Sequence, residues 1–271
     1  MRVTIVYFLI VLLSSNISFA DSPRANTTLE LNQQGLSLGV NGEFDKAKET
    51  FQKILIEDRF DYTSTRCLDL IDQFQDQKIS RDCLILIFQG LLSIYQFKYQ
   101  DALNMFDKAK GCSKDEMILN DIGSVYVLLG NPNEAIKCFQ KAISINPDSL
   151  EAYLRLSEVN MALENTDLAI KYAKKALSLD PGSARAYMCL GGAYFVLGKK
   201  NDALVYYKRA LQNNPNFAEA YLGLGLAYAD MGDVKQAIDN INKAKDIAGQ
   251  RGDQGLVDMS DQFLNESSSD E

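Results

Sequence analysis

From Glu116 to Gly249 the chain repeats itself every 34 residues. Ala135, Ala169, Ala203 and Ala237 fall in one column, and Ala142, Ala176, Ala210 and Ala244 in another. Pro147, Pro181 and Pro215 share a third, while Gly123, Gly191 and Gly225 share a fourth in which Ser157 replaces glycine. A fixed period of this size means that one supersecondary unit is copied and stacked, each copy meeting mainly its neighbours. Within each unit, apolar residues recur at spacings of three and four, the signature of amphipathic helices. Breaks at Leu129-Gly130-Asn131-Pro132, Leu197-Gly198 and Met231-Gly232 divide each unit in two. Glycine accepts the positive φ that ends a helix, and proline stops the helix from resuming. The period predicts four two-helix units, residues 116–149, 150–183, 184–217 and 218–251.

The flanks keep the frame loosely. Residues 28–61 form a divergent first repeat, with Leu31, Gly35, Ala47 and Phe51 in register but Arg59 where proline stands later. Residues 62–82 break the register, and Leu68, Ile71 and Phe74 make one apolar helix face, an irregular helical insert. Residues 83–115 are a degenerate repeat carrying Gly90, Ala102, Phe106 and Ala109, without a closing proline. Leu256, Val257, Met259, Phe263 and Leu264 give residues 252–265 enough apolar surface for a capping helix, because an open array end exposes a hydrophobic layer. An acidic serine tail, 266–271, follows.

The first twenty residues read as a signal peptide. Arg2 precedes an apolar run from Val3 to Leu13, and Ser18-Phe19-Ala20 supplies small residues for cleavage. As a helix that run rises only about 16 Å, short of the ~30 Å hydrocarbon core. The expectation is export, periplasmic or secreted, with a polar leader at 21–27 and no stable membrane span after cleavage. Five cysteines then face an oxidising compartment. Cys83 opens the first helix of its unit and Cys112 ends the second, ends that an antiparallel hairpin brings together. Cys83–Cys112 is the candidate disulfide and Cys67–Cys83 the rival pairing.

The columns resemble the tetratricopeptide-repeat family. Leu119, Ile122, Gly123, Tyr126, Ala135, Phe139, Ala142 and Pro147 fill its signature in one unit, and Tyr187, Leu190, Gly191, Tyr194, Ala203, Tyr207, Ala210 and Pro215 in another. Ser157, Asn160 and Ala173 depart from it in the unit between, where looser helix contacts are expected. The resemblance implies an all-α solenoid of helix-turn-helix repeats in a right-handed superhelix. It also implies a peptide-binding groove lined by the first helix of each unit. Those positions hold Met117, Asn120, Ser124 and Val127, then Leu154, Glu158 and Met161 with Arg155 beside them. Next come Arg185, Met188 and Phe195, and finally Leu222 and Leu226. Such a surface suits an apolar helix or extended peptide of a partner protein, and methionine adapts to varied partners. The alternative is a structural homo-oligomer joined through repeat faces.

Other classes fall away on composition. The chain has no histidine, which removes the usual general base, the Ser/His/Asp triad and most zinc sites. No phosphate-loop spacing occurs, and Gly223-Leu224-Gly225 lies within a helix instead of following a strand. The expectation is therefore a non-enzymatic scaffold with no cofactor and no metal. A net charge of −8 without a basic stripe argues against nucleic acid.

Overall fold

In a computed structural model, residues 25–112, 116–251 and 253–268 are described. The expected signal peptide, the leader up to Arg24 and the chain beyond Ser268 lie outside the described residues. Among the described residues there are fourteen helices and no strand. They divide into two compact units, one from Asn26 to Ile145 and one from Asn146 onward.

The N-terminal unit contains α1 (Ala25–Val40), α2 (Phe44–Glu57), α3 (Tyr62–Gln75), α4 (Arg81–Tyr95), α5 (Tyr99–Ala109), α6 (Glu116–Leu128) and α7 (Pro132–Ile145). One packing rule recurs in α1/α2, α4/α5 and α6/α7. A glycine on the first helix lies under an aromatic ring sixteen residues later, on the second. A Cβ placed on Gly35, Gly90 or Gly123 would come within 2.6, 2.6 and 2.5 Å of the rings of Phe51, Phe106 and Phe139. All three rings are fully buried. The glycine is thus required by close approach, since any side chain would overpack the ring. This holds even in the degenerate repeats, where the closing proline is missing.

Two further devices order this unit. Helix α3 fills the stretch that breaks the period, and its start is fixed by Asp61, whose carboxylate accepts the Ser64 amide at 2.6 Å. Cys83 and Cys112 form a disulfide that joins the start of α4 to the turn after α5, with Cα atoms 5.8 Å apart. Cys67 is a free, fully buried thiol and takes no part in it.

The C-terminal unit contains α8 (Leu150–Ala162), α9 (Thr166–Leu179), α10 (Ala184–Val196), α11 (Lys200–Asn213), α12 (Ala218–Asp230), α13 (Val234–Arg251) and α14 (Gln254–Ser268). The turns between hairpins follow one recipe. Asp180 accepts the Gly182 amide at 2.9 Å and Asn214 the Asn216 amide at 3.1 Å, each across an intervening proline. A tyrosine early in each first helix lies under a cation from its partner helix. Lys175, Arg209 and Lys243 sit 5.7, 5.9 and 5.4 Å from the rings of Tyr153, Tyr187 and Tyr221. Helix α14 packs on α13 and closes the end of the stack through Leu256, which is buried. It continues to Ser268, three residues past the end expected from its apolar pattern.

The hairpin α8/α9 lacks both members of the glycine–aromatic pair, yet it is not loose. Ser157 and Ala173 are fully buried and Asn160 is 2% exposed. The Ser157 hydroxyl donates to the Ala169 carbonyl at 2.9 Å, and the Asn160 amide donates to the Leu156 carbonyl at 2.7 Å. Cys189, on α10, is a buried free thiol and joins the same apolar cluster as Ala173. Serine and cysteine thus take up the volume that an aromatic ring fills elsewhere.

Candidate functional site

The first helices α8, α10 and α12 carry the C-terminal part of the implied groove. Each packs against its own second helix, and α10 also touches both α8 and α12. Met161, Met188 and Leu222 therefore meet in one apolar cluster, with Phe195 and Leu226 half-buried against it. Leu154 belongs to a separate cluster with Ala176 and Ala186. The groove expectation needs correction in one respect. Leu154, Met161, Met188 and Leu222 are only 3, 3, 4 and 1% exposed, so they are core side chains and not an open lining. The physical reason is that neighbouring first helices cover these positions, which a column of sequence does not register. Of the apolar candidates in this unit, Phe195 and Leu226 remain within reach from outside.

The charged candidates form a closed ring. Arg155 Nε lies 2.7 Å from Glu151 Oε1, and Arg155 Nη1 lies 3.4 Å from Glu158 Oε2. From the next hairpin, Arg185 Nη1 reaches Glu151 Oε2 at 2.8 Å and Nη2 reaches Glu158 Oε1 at 2.7 Å. Each arginine touches both glutamates, and each of the four carboxylate oxygens receives one guanidinium nitrogen. Burial alone would push the Glu151 carboxyl up, but Arg185 and then Arg155 hold it below the usual carboxylate value. Burial also works against the Arg185 charge, and Glu151 with Glu158 overcomes it and raises that pKa. The ring has no net charge and leaves neither arginine available for a carboxylate terminus. Beside it, burial pushes the Cys189 thiol up to about 12, which keeps it protonated and unreactive.

The remaining candidates belong to α6 in the N-terminal unit. Asn120 is 1% exposed and its amide lies 3.5 Å from Met117 Sδ. Ser124 donates to the Asn120 carbonyl at 2.9 Å, and Met117, Ser124 and Val127 are half-buried. Among the described residues no group of histidine, cysteine or acidic side chains has the geometry of a metal site. No described helix is long and apolar enough to cross a membrane. The sequence signal for the ring was present in the pairing of Arg155 and Arg185 with Glu151 and Glu158, but its closure depends on side-chain geometry.

Comparisons with known proteins fit this architecture. Family models of the tetratricopeptide repeat match residues 117–149, 150–183, 184–217 and 206–239, and none of these is an enzyme family. No curated protein matches the chain. TTC0263, a thermophilic TPR protein in Thermus thermophilus, is similar at 24% identity with a TM-score of 0.59, covering 66% of this chain and 97% of its own. A MamA fragment from Desulfovibrio magneticus RS-1 is similar at 20% identity with a TM-score of 0.52, covering 62% of this chain and 96% of its own. At these identities the likeness is one of fold.

Proposed function

Residues 117–239 belong to the tetratricopeptide-repeat family, a protein-interaction scaffold, and from that premise we propose that the C-terminal unit docks an apolar helix or extended peptide of a partner protein outside the cytoplasm. The observation that carries the reading is the pairing of an apolar cluster with a self-neutralised ring. Phe195 and Leu226 are half-buried against a core cluster that contains Met161, Met188 and Leu222 and keep part of their surface open, and the nearby charges already satisfy one another. A partner segment that is itself uncharged and apolar gains contact there without stranding a charge. A partner ending in an acidic tail finds no spare arginine. Export is supported by the character of residues 1–20 and by the Cys83–Cys112 bond, since disulfides persist in oxidising compartments.

Phe195→Glu and Leu226→Glu test the docking surface with little risk to the core. In-compartment crosslinking with mass spectrometry should lose its partner bands in both variants while their melting temperatures stay close to that of the unmodified chain. Partner bands that survive both changes would contradict docking on this face, and bands containing only a second copy of the chain would favour the homo-oligomer.

A further inference from the structure

The column that holds an aromatic ring in most hairpins carries one hydroxyl. Phe51, Phe106 and Phe139 end in carbon, Ala173 and Ile241 have no ring, and Tyr207 alone of the six ends in oxygen. Its ring runs between α10 and α12, where a Cβ at Gly191 would come 2.5 Å from it and one at Gly223 2.6 Å. The next residue, Gly192, is different. Within 4 Å a Cβ there would meet the Tyr207 hydroxyl oxygen, at 3.9 Å, and nothing else among the described residues. The other clear units hold Ser124, Glu158 and Leu226 in that column, so glycine over a hydroxyl occurs in one unit. Gly192 follows Met188 by one helical turn and precedes Phe195 by another, on the face of α10 assigned to the groove.

Tyr207 is 1% exposed, and a phenol at that depth ordinarily has a partner. Among the described residues this hydroxyl has none. Burial and the nearby Cys189 thiol raise its pKa, and no hydrogen bond acts against them. Phenylalanine would fill the same space without a polar atom to satisfy, as the fully buried Phe139 does in its own hairpin. The core therefore leaves this donor over, and the missing side chain of Gly192 leaves it an approach from the groove. A docked helix uses its carbonyls internally and holds its backbone off with side chains. An extended segment offers a carbonyl at every residue, and glycine lets a foreign backbone come close. Its side chains point alternately to either side, which brings some of them against Phe195 and Leu226.

We propose that the docked partner segment is extended and that Tyr207, reached across Gly192, donates a hydrogen bond to one of its main-chain carbonyls. The inference rests on the docking reading above and narrows it from helix or extended peptide to the second. Random peptides displayed on phage are selected on the full-length chain, and the strongest binder is titrated as free peptide. Tyr207→Phe keeps the ring, so it is expected to hold or raise the melting temperature while weakening that peptide about fivefold. Gly192→Ala is expected to raise the melting temperature, because alanine is the better helix former and its Cβ has room, and to weaken the peptide at least as much. Esters replacing the peptide's amides one at a time weaken each carbonyl as an acceptor. One of them is expected to lose affinity for the unmodified chain and to lose nothing further against Tyr207→Phe. Peptides that fail on Phe195→Glu but bind Tyr207→Phe and Gly192→Ala unchanged would overturn this inference and leave docking standing. A selected peptide that turns helical on binding, or one weakened by Tyr207→Phe with no sensitive ester, would overturn it in the same way. So would a fall in melting temperature for Tyr207→Phe, which would mean that the hydroxyl already serves the core. Selection that yields no peptide sensitive to Phe195→Glu would remove the docking reading and this inference with it.

Discussion

The neighbouring hairpins α8/α9 and α10/α11 solve one packing problem in opposite ways. In α10/α11 the Tyr207 ring lies between two helix backbones, and glycine at 191 and 223 makes room for it. In α8/α9 the ring is gone, and the same columns hold Ser157, Ala173 and Cys189, all buried. Large meets absent in one case, small meets small in the other, and both close without exposure. The repeat therefore constrains the volume shared by three columns and not the identity of any single residue, as close-packed interiors require.

Perturbations that break this contrast should differ sharply in size. Tyr207→Ala removes a buried ring with no neighbour able to fill the gap and should cost about 4 kcal/mol in urea unfolding. Ala occupies the equivalent position 173 at no such penalty. Glu151→Gln removes one member of the ring that ties the two hairpins together and should cost about 3 kcal/mol at neutral pH. The Glu151 pKa is depressed in the folded state, so its contribution is present above the ordinary value of 4.5 and disappears as pH falls through the lower folded value. The unmodified chain should lose stability below about pH 4.5 more steeply than the variant. Asp253 acts in the opposite sense, since burial raises its pKa and the folded state gains as that carboxyl protonates. Gly223→Ala would put a Cβ 2.6 Å from the Tyr207 ring and should cost about 2 kcal/mol, although the same column carries Cys189 one unit earlier without penalty. Smallest of all, Ser157→Ala deletes one buried hydrogen bond to the Ala169 carbonyl, about 1 kcal/mol by thermal unfolding.

Much of this architecture was legible in sequence because repetition turns packing into columns. The glycine in one column and the aromatic in another are a contact already, since a hairpin brings them together whatever lies around it. Ser157 with Ala173 misled for the same reason. Read column by column they look like two losses, while Cys189, the residue that fills the space, belongs to the next unit. The candidate site shows the same limit. The positions of Met161, Met188 and Leu222 on first helices follow from the period, but their burial depends on how first helices cover one another.

The shared-volume claim is tested most directly by rebuilding one hairpin as the other. Ala173→Phe alone should overpack against Ser157 and Cys189 and lose about 2 kcal/mol. Ser157→Gly with Cys189→Gly should lose stability by emptying the same space. The account predicts that the triple variant, measured by urea unfolding, is more stable than either, a coupling of the kind that neighbouring sites show. A triple variant whose loss equals the sum of the two would contradict it.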